Sequence, residues 1–226
     1  MLFKQICLII MRPKGKEKFL LSIDVETPKI LDVGCGNNSP YKIKSLLPKA
    51  YYVGIDICEH KKDFSSIADQ YLAVTPDGFT DEISKFTNEF DVVISSHNLE
   101  HCNDRWGTLK SMSSSLKVGG SIFISFPCQE TQYFPSRAGT LNYFDDPTHK
   151  LTPPDFNEIK ILLASYGFLI EFEKKQYRPF MLRCIGFLLE PMSAFFKRKF
   201  YGTWEFYGFE SVIWARKVGD GRSSIS

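Results

Sequence analysis

Residues 29–41 read KILDVGCGNNSPY. An apolar run, Ile30, Leu31 and Val33, leads into Gly34-Cys35-Gly36, and Ser39-Pro40 follows as a helix-start pair. This order predicts a buried strand, a glycine loop and a helix opening, the junction at which α/β folds bind nucleotide-like ligands. Gly34 and Gly36 lack a Cβ and adopt positive φ readily, so the loop backbone can approach a ligand closely. Ser39 is the expected helix cap, and Pro40 suits the first helical position. Asp32, on the strand just before the loop, is expected to hold a cationic group or an ordered water.

A glycine loop alone is a weak signal, so the acid that follows it matters. Tyr51–Asp56, YYVGID, reads as a second strand ending in a carboxylate. Asp56 lies twenty residues after Gly36, the distance at which an acid at the end of the second strand meets a ribose. Two ligands suit this frame, a dinucleotide and S-adenosylmethionine. The dinucleotide fingerprint requires a third glycine after two intervening residues, where this chain has Ser39. Asp32 also suits the amino group of a methionine better than a pyrophosphate.

Two further apolar runs keep the same order. Phe90–Ser96, FDVVISS, is followed by HNLEHCND, and GGSIFISFP ends at Pro127 after a helical pattern carrying Trp106, Leu109, Met112 and Leu116 on one face. Here the chain resembles the class I S-adenosylmethionine-dependent methyltransferases, in particular their small-molecule branch. The segments that carry the resemblance are ILDVGCG, GID, FDVVISSHNLEH and LKVGGSIFISFP, between about Lys29 and Phe168. The resemblance implies a Rossmann-like three-layer α/β/α sandwich on a seven-stranded sheet with the last strand antiparallel. It assigns Asp32, Gly34, Cys35 and Gly36 to the methionine half of the cofactor, Asp56 to the ribose and Ile57 to an adenine face. Ser96 and His97 are expected near the sulfonium, and Asp77 is the candidate for the adenine edge.

Alternating strand and helix signals independently predict a parallel sheet with helices on both faces. Strands are expected at 29–34, 51–56, 70–75, 90–95, 121–126, 168–175 and 211–217, and helices near 40–47, 80–88, 104–117 and 153–166. Thr152 is the expected cap of the last helix. Residues 1–28 read as an N-terminal extension and 29–226 as one domain. Within it, 128–151 is a long polar loop, a candidate lid, and 177–209 is an insertion dense in aromatic residues. The apolar start, Met1–Met11, is too short to span a bilayer, and Met11 is an alternative start.

At 226 residues the chain can bury one substantial core, and 43% hydrophobic with 24% charged residues is ordinary globular composition. A net charge of +2 lacks the concentrated basic footprint of a nucleic-acid binder. The six cysteines have no metal or disulfide spacing, so reduced thiols and a cytoplasmic location are expected. His97 to His101, HNLEH, matches a zinc-peptidase pattern that requires a helix. Here it leaves a β-branched strand, so no metal is expected.

A sulfonium methyl is already electrophilic, so the protein must chiefly align an acceptor, exclude water and, for a hydroxyl, supply a base. His149, in the loop segment DDPTH, is the first candidate base and His97 the second. Arg137, Asn142 and Tyr143 are candidates to bind a small polar acceptor, a sugar or glycan precursor methylated at oxygen. The rival functions are a cofactor-binding regulatory or scaffold subunit without turnover and an NAD-dependent oxidoreductase. The aromatic insertion is expected to pack on the sheet edge, to form a dimer surface or to touch a membrane peripherally.

Overall fold

Seven strands form a single sheet in the order β3-β2-β1-β4-β5-β7-β6. They are β1 (Lys29–Val33), β2 (Tyr51–Asp56), β3 (Gln70–Ala73), β4 (Phe90–Ser96), β5 (Leu116–Pro127), β6 (Phe168–Lys174) and β7 (Glu210–Lys217). The structure is a computed structural model and describes residues 10–57, 67–75 and 77–221. Neighbours among β1 to β5 pair in parallel, whereas β7 runs antiparallel to both β5 and β6. The expected Rossmann-like sheet with an antiparallel last strand is therefore present.

Side chains alternate across a strand, so each buried strand feeds two apolar layers. Leu31, Val33 and Val93 join one layer, while Ile30, Val92 and Ile94 join the other. The first layer is closed by α3 (Phe79–Ser84), α4 (Arg105–Ser115) and α5 (Phe156–Ser165), through Ile83, Leu109, Met112, Ile159 and Leu163. The second is closed by α1 (Lys16–Leu20) and α2 (Ser39–Leu46), through Phe19, Leu20 and Ile43. Phe19 packs its ring 5.5 Å from both Phe123 and Trp214, so part of the N-terminal extension lies on the sheet. Of the expectations for the chain start and the cysteines, residues 1–9 and Cys58 lie outside the described residues.

Two helix starts differ from expectation. The helix placed at 153–166 begins at Phe156, with Asp155 as its cap, accepting from the amides of Asn157 and Glu158 at 2.8 and 2.9 Å. Pro153 and Pro154 have no amide hydrogen and disfavour helical geometry in the residue before them, which excludes Thr152 from the role. Ser39 is the first residue of α2 rather than its cap; its hydroxyl binds Asp32 instead. The aromatic insertion holds two helices, α6 (Phe180–Phe195) and α7 (Thr203–Tyr207).

Candidate functional site

The order of strands along the sheet reverses between β1 and β4, and α/β folds bind ligands at the carboxyl ends of strands beside such a reversal. A cleft of about 400 Å³ opens there, within the usual size for a small-molecule site. Gly34 follows β1, Asp56 and Ile57 end β2, and His97 and Asn98 leave β4. The candidate lid adds Pro147, Thr148 and Lys150, while Phe79 and His101 complete the wall.

The glycine loop is shaped by contact on one side and space on the other. Gly34 has φ +73°, and a Cβ there would lie 2.5 Å from the Asn98 amide oxygen. Gly36 has φ +57°, and a Cβ there would meet no protein atom within 4 Å. Asp56 is fixed at the rim: one oxygen accepts from the Gly36 amide at 2.6 Å and the other from the Ile57 amide at 2.7 Å. These two bonds set the direction of the carboxylate where it borders the cleft. Ile57 is 44% exposed and gives the cleft an apolar surface. An open loop backbone, a positioned acid and an apolar wall fit the adenosyl ligand expected from the sequence.

Other residues assigned to the cofactor face elsewhere. Asp32 is buried, and its carboxylate accepts from the Ser39 hydroxyl and, at 2.9 Å, from the Tyr52 hydroxyl. Both bonds fall on one oxygen, Oδ2, and brace the loop from below. The Cys35 thiol packs toward Gly54 and Tyr52, and burial pushes its pKa far up, so Cys35 offers only backbone to the loop. The Ser96 hydroxyl meets that of Ser125 on β5 at 3.1 Å. Asp77 accepts from Asn103.

His97 lines the cleft with both ring nitrogens engaged. It sits at φ +54° in the exit of β4, with Nδ1 3.1 Å from a Glu100 oxygen and Nε2 3.1 Å from a Glu210 oxygen. Carboxylates only accept, so both ring nitrogens carry protons and neither has a lone pair for a substrate. Burial opposes this charge, but Glu100 and Glu210 outweigh it and lift the ring to about 9. Burial would likewise raise the Glu210 carboxyl, yet Arg12 and His97 hold it at about 2. His97 is thus a clamped cation rather than a base. Arg12, bonded to Glu210, fastens the N-terminal extension to the same network.

The lid residues expected to bind substrate all have partners within the protein. Arg137 is buried and forms a two-pronged pair with Glu190 of α6, at 2.6 and 3.0 Å. Asn142 caps a short 3₁₀ turn, and its amide donates to the Gln132 and Phe134 carbonyls. Tyr143 is fully buried and donates to the Lys150 carbonyl at 3.0 Å. All three satisfy loop backbone or a buried charge, the demand that any long loop must meet.

His149 stacks on Tyr143, with ring centroids 4.3 Å apart, and its Nδ1–H donates to the Tyr143 carbonyl at 2.6 Å. Burial pushes its pKa below the ordinary value, so the ring is neutral near pH 7 with a lone pair on Nε2. Asp146 lies 4.0 Å from that nitrogen, beyond hydrogen-bond reach. His101 is the neighbouring ring, centroid to centroid 4.9 Å. HNLEH forms a strand exit and a 3₁₀ turn over Leu99–His101, not the helix a zinc-peptidase pattern needs. Glu210, Arg12 and Trp204 escaped sequence reasoning. Trp204 stacks on Phe209 beside His97 and donates to the lid carbonyl of Thr140 at 2.6 Å.

The profile of a family described as "Methyltransferase domain" matches residues 10–171. The chain is similar to an uncharacterized protein of Methanocaldococcus jannaschii, 37% identical over 106 residues, which are 42% of this chain and 27% of that protein. It is also similar to the mitochondrial ubiquinone biosynthesis O-methyltransferase of Rattus norvegicus, 32% identical over 104 residues, 43% of this chain and 30% of that enzyme. The likeness thus spans less than a third of either relative's length. A S-adenosylmethionine-dependent methyltransferase from Archaeoglobus fulgidus shares the fold at TM-score 0.52 and 20% identity, over 84% of this chain and 86% of that one. So does the Burkholderia thailandensis 1,6-didemethyltoxoflavin-N1-methyltransferase, solved with S-adenosylhomocysteine bound, at TM-score 0.58 and 16% identity, over 93% and 79%.

Proposed function

This chain belongs to the methyltransferase domain family, and from that premise we propose that it methylates a hydroxyl oxygen of a small molecule, a sugar or glycan precursor, using S-adenosylmethionine. One cleft with two chemically different ends supports this function. Gly34, Asp56 and Ile57 line one part of it; His101, Pro147, Thr148 and Lys150 line another, with Glu100 and His149 close to His101. Bound S-adenosylmethionine supplies a methyl carbon on a positively charged sulfur, so the protein's own work is alignment and exclusion of water.

In this scheme Asp56 receives the ribose hydroxyls, the Gly34–Gly36 backbone borders the methionine half, and Ile57 and Phe79 cover the adenine. The hydroxyl's proton leaves at the lid end, where His149 offers a lone pair, because His97 has none to receive it. The rat relative, named an O-methyltransferase, lends support to oxygen as the accepting atom. A cofactor-binding subunit without turnover is the second reading, favoured by one observation: Arg137, Asn142 and Tyr143 are all spent on lid structure. We also infer that the exposed apolar face of α6 is a contact surface, for a second copy or a membrane surface.

Calorimetry tests the cofactor half directly. S-adenosylhomocysteine should bind and NAD should give no heat. Asp56→Ala removes hydrogen bonds to a charged acceptor, each worth roughly 1.5–3 kcal/mol, so binding should weaken at least tenfold. An unchanged dissociation constant in a folded variant removes Asp56 from the site. Affinity for NAD without any response to S-adenosylhomocysteine overturns the function.

A further inference from the structure

Glu100 is fully buried at the floor of the lid end, and its two oxygens fare differently. Oε1 accepts from His97. Oε2 has no hydrogen-bond partner, which is unfavourable for any buried polar group and more so for a charged one. Near Glu100 stand two imidazoles, His101 and His149, whose tautomers are set by their neighbours. His149 can only donate from Nδ1 to the Tyr143 carbonyl. The Thr148 hydroxyl spends its proton on the Asp146 carboxylate at 2.6 Å, so it accepts from His101 Nδ1 at 3.0 Å. In both rings the lone pair is left on Nε2. Donor atoms of Glu100, His101 and His149 lie within 4.8 Å of one another.

Resting on the hydroxyl-methylating function above, we propose that Glu100, His101 and His149 bind a first-row divalent cation such as Zn²⁺, whose open coordination position takes the acceptor hydroxyl. Two imidazoles and one carboxylate form a ligand set known from catalytic zinc, which keeps a position for substrate. Zinc bonds of about 2.0–2.1 Å in tetrahedral geometry hold ligand atoms about 3.4 Å apart, so the three groups need close by little more than 1 Å. Each ligand already has the outer partner that metal sites use for orientation: His97 on Glu100, Thr148 and Asp146 on His101, the Tyr143 carbonyl on His149. Of the three ligands His101 lines the cleft, beside Thr148, and the proposal puts the open position on that side. The sequence argued against a metal because HNLEH is no helix. The third ligand comes from the lid, 48 residues beyond His101 in the chain, where no local spacing announces it.

A cation there acidifies the bound hydroxyl. The O–H bond breaks and its proton passes to solvent water at the cleft mouth. An oxygen lone pair forms the new O–C bond, the C–S bond breaks, and its electron pair stays on sulfur. His149 then serves by holding the ion rather than by taking the proton.

Cobalt(II) is the probe, added to chelator-treated full-length protein without cofactor or acceptor. The expected result is one equivalent bound with visible d–d absorption, displaced by Zn²⁺. Affinity should fall at least 100-fold in His101→Gln and in His149→Gln while S-adenosylhomocysteine still binds, which shows that these variants fold. Asp56→Ala should do the reverse, keeping cobalt and losing S-adenosylhomocysteine, so failure of the metal site and failure of the cofactor site are told apart. No stoichiometric cobalt in the wild type, or the same cobalt affinity in both histidine variants, overturns the metal site.

Discussion

Glu210 shows how much one side chain of this site depends on others far away. Its carboxylate is buried between Arg12 and His97, which hold it ionised to about pH 2. In the unfolded chain the same group titrates near pH 4.3. A depressed folded pKa contributes stability that is complete above the unfolded value and is lost as pH falls through the folded one. Denaturant midpoints of the wild type should therefore drop between about pH 4.5 and 2, and Glu210→Gln should flatten that limb while lowering stability at pH 6. Parallel curves for the two proteins at every pH would show that the carboxylate is not held as the geometry implies. His149 carries a second prediction. His149→Ala should lower turnover by roughly 10²–10⁴-fold with S-adenosylhomocysteine affinity nearly intact, and full turnover would reduce it to a loop residue. Legibility differs sharply between these residues. The placement of Gly34, Gly36 and Asp56 around one loop was readable because the loop and the acid sit at fixed offsets within one βαβ unit. The state of His97 was not, because one of its two carboxylates is 113 residues away.

Among the elements, strands were the most legible, since a buried parallel strand must be an apolar run of fixed length. All seven were expected, with ends shifted by a few residues; β5 starts earlier, at Leu116, where a register irregularity lets it pair with Phe90. The lid resisted because its polar residues look alike whether they meet a ligand or their own backbone. Its far end is pinned by a residue that drew no notice in the sequence. Arg105, buried at the start of α4, donates to the carbonyls of Leu99 and Thr152 at 3.1 and 3.0 Å, while Lys150 donates its amide to the Glu100 carbonyl at 2.8 Å. Arg105→Met keeps the side chain's bulk and removes these donors. Amides of residues 146–152 should then exchange with solvent at least tenfold faster, with β1 and β4 unchanged. Equal protection across the lid would assign its closure to packing alone.

Across the whole molecule, the two faces of α6 contrast. Leu182, Gly186 and Ser193 face inward, and Glu190 grips the lid through Arg137. Phe180, Phe187, Leu188 and Phe195 point outward, between 64 and 82% exposed, an unusual apolar area for a protein that works alone. Among the described residues no helix is long and apolar enough to cross a membrane. The triple change Phe180→Ser, Phe187→Ser, Leu188→Ser should abolish self-association in sedimentation or pelleting with anionic vesicles, and leave S-adenosylhomocysteine affinity unaltered. A wild type that stays monomeric and never pellets would leave this face without a partner. The bond between Arg12 and Glu210 joins positions 198 apart. A ribosome adding roughly 5–20 residues per second delivers the glycine loop and Asp56 many seconds before Glu210 emerges. Throughout that interval the nascent chain carries the residues proposed to bind the cofactor without the carboxylate that clamps His97 and anchors the N-terminal segment. The network around His97 should thus close abruptly, when β7 is threaded beside β5, and under the proposed function no fragment that stops short of Glu210 should methylate anything.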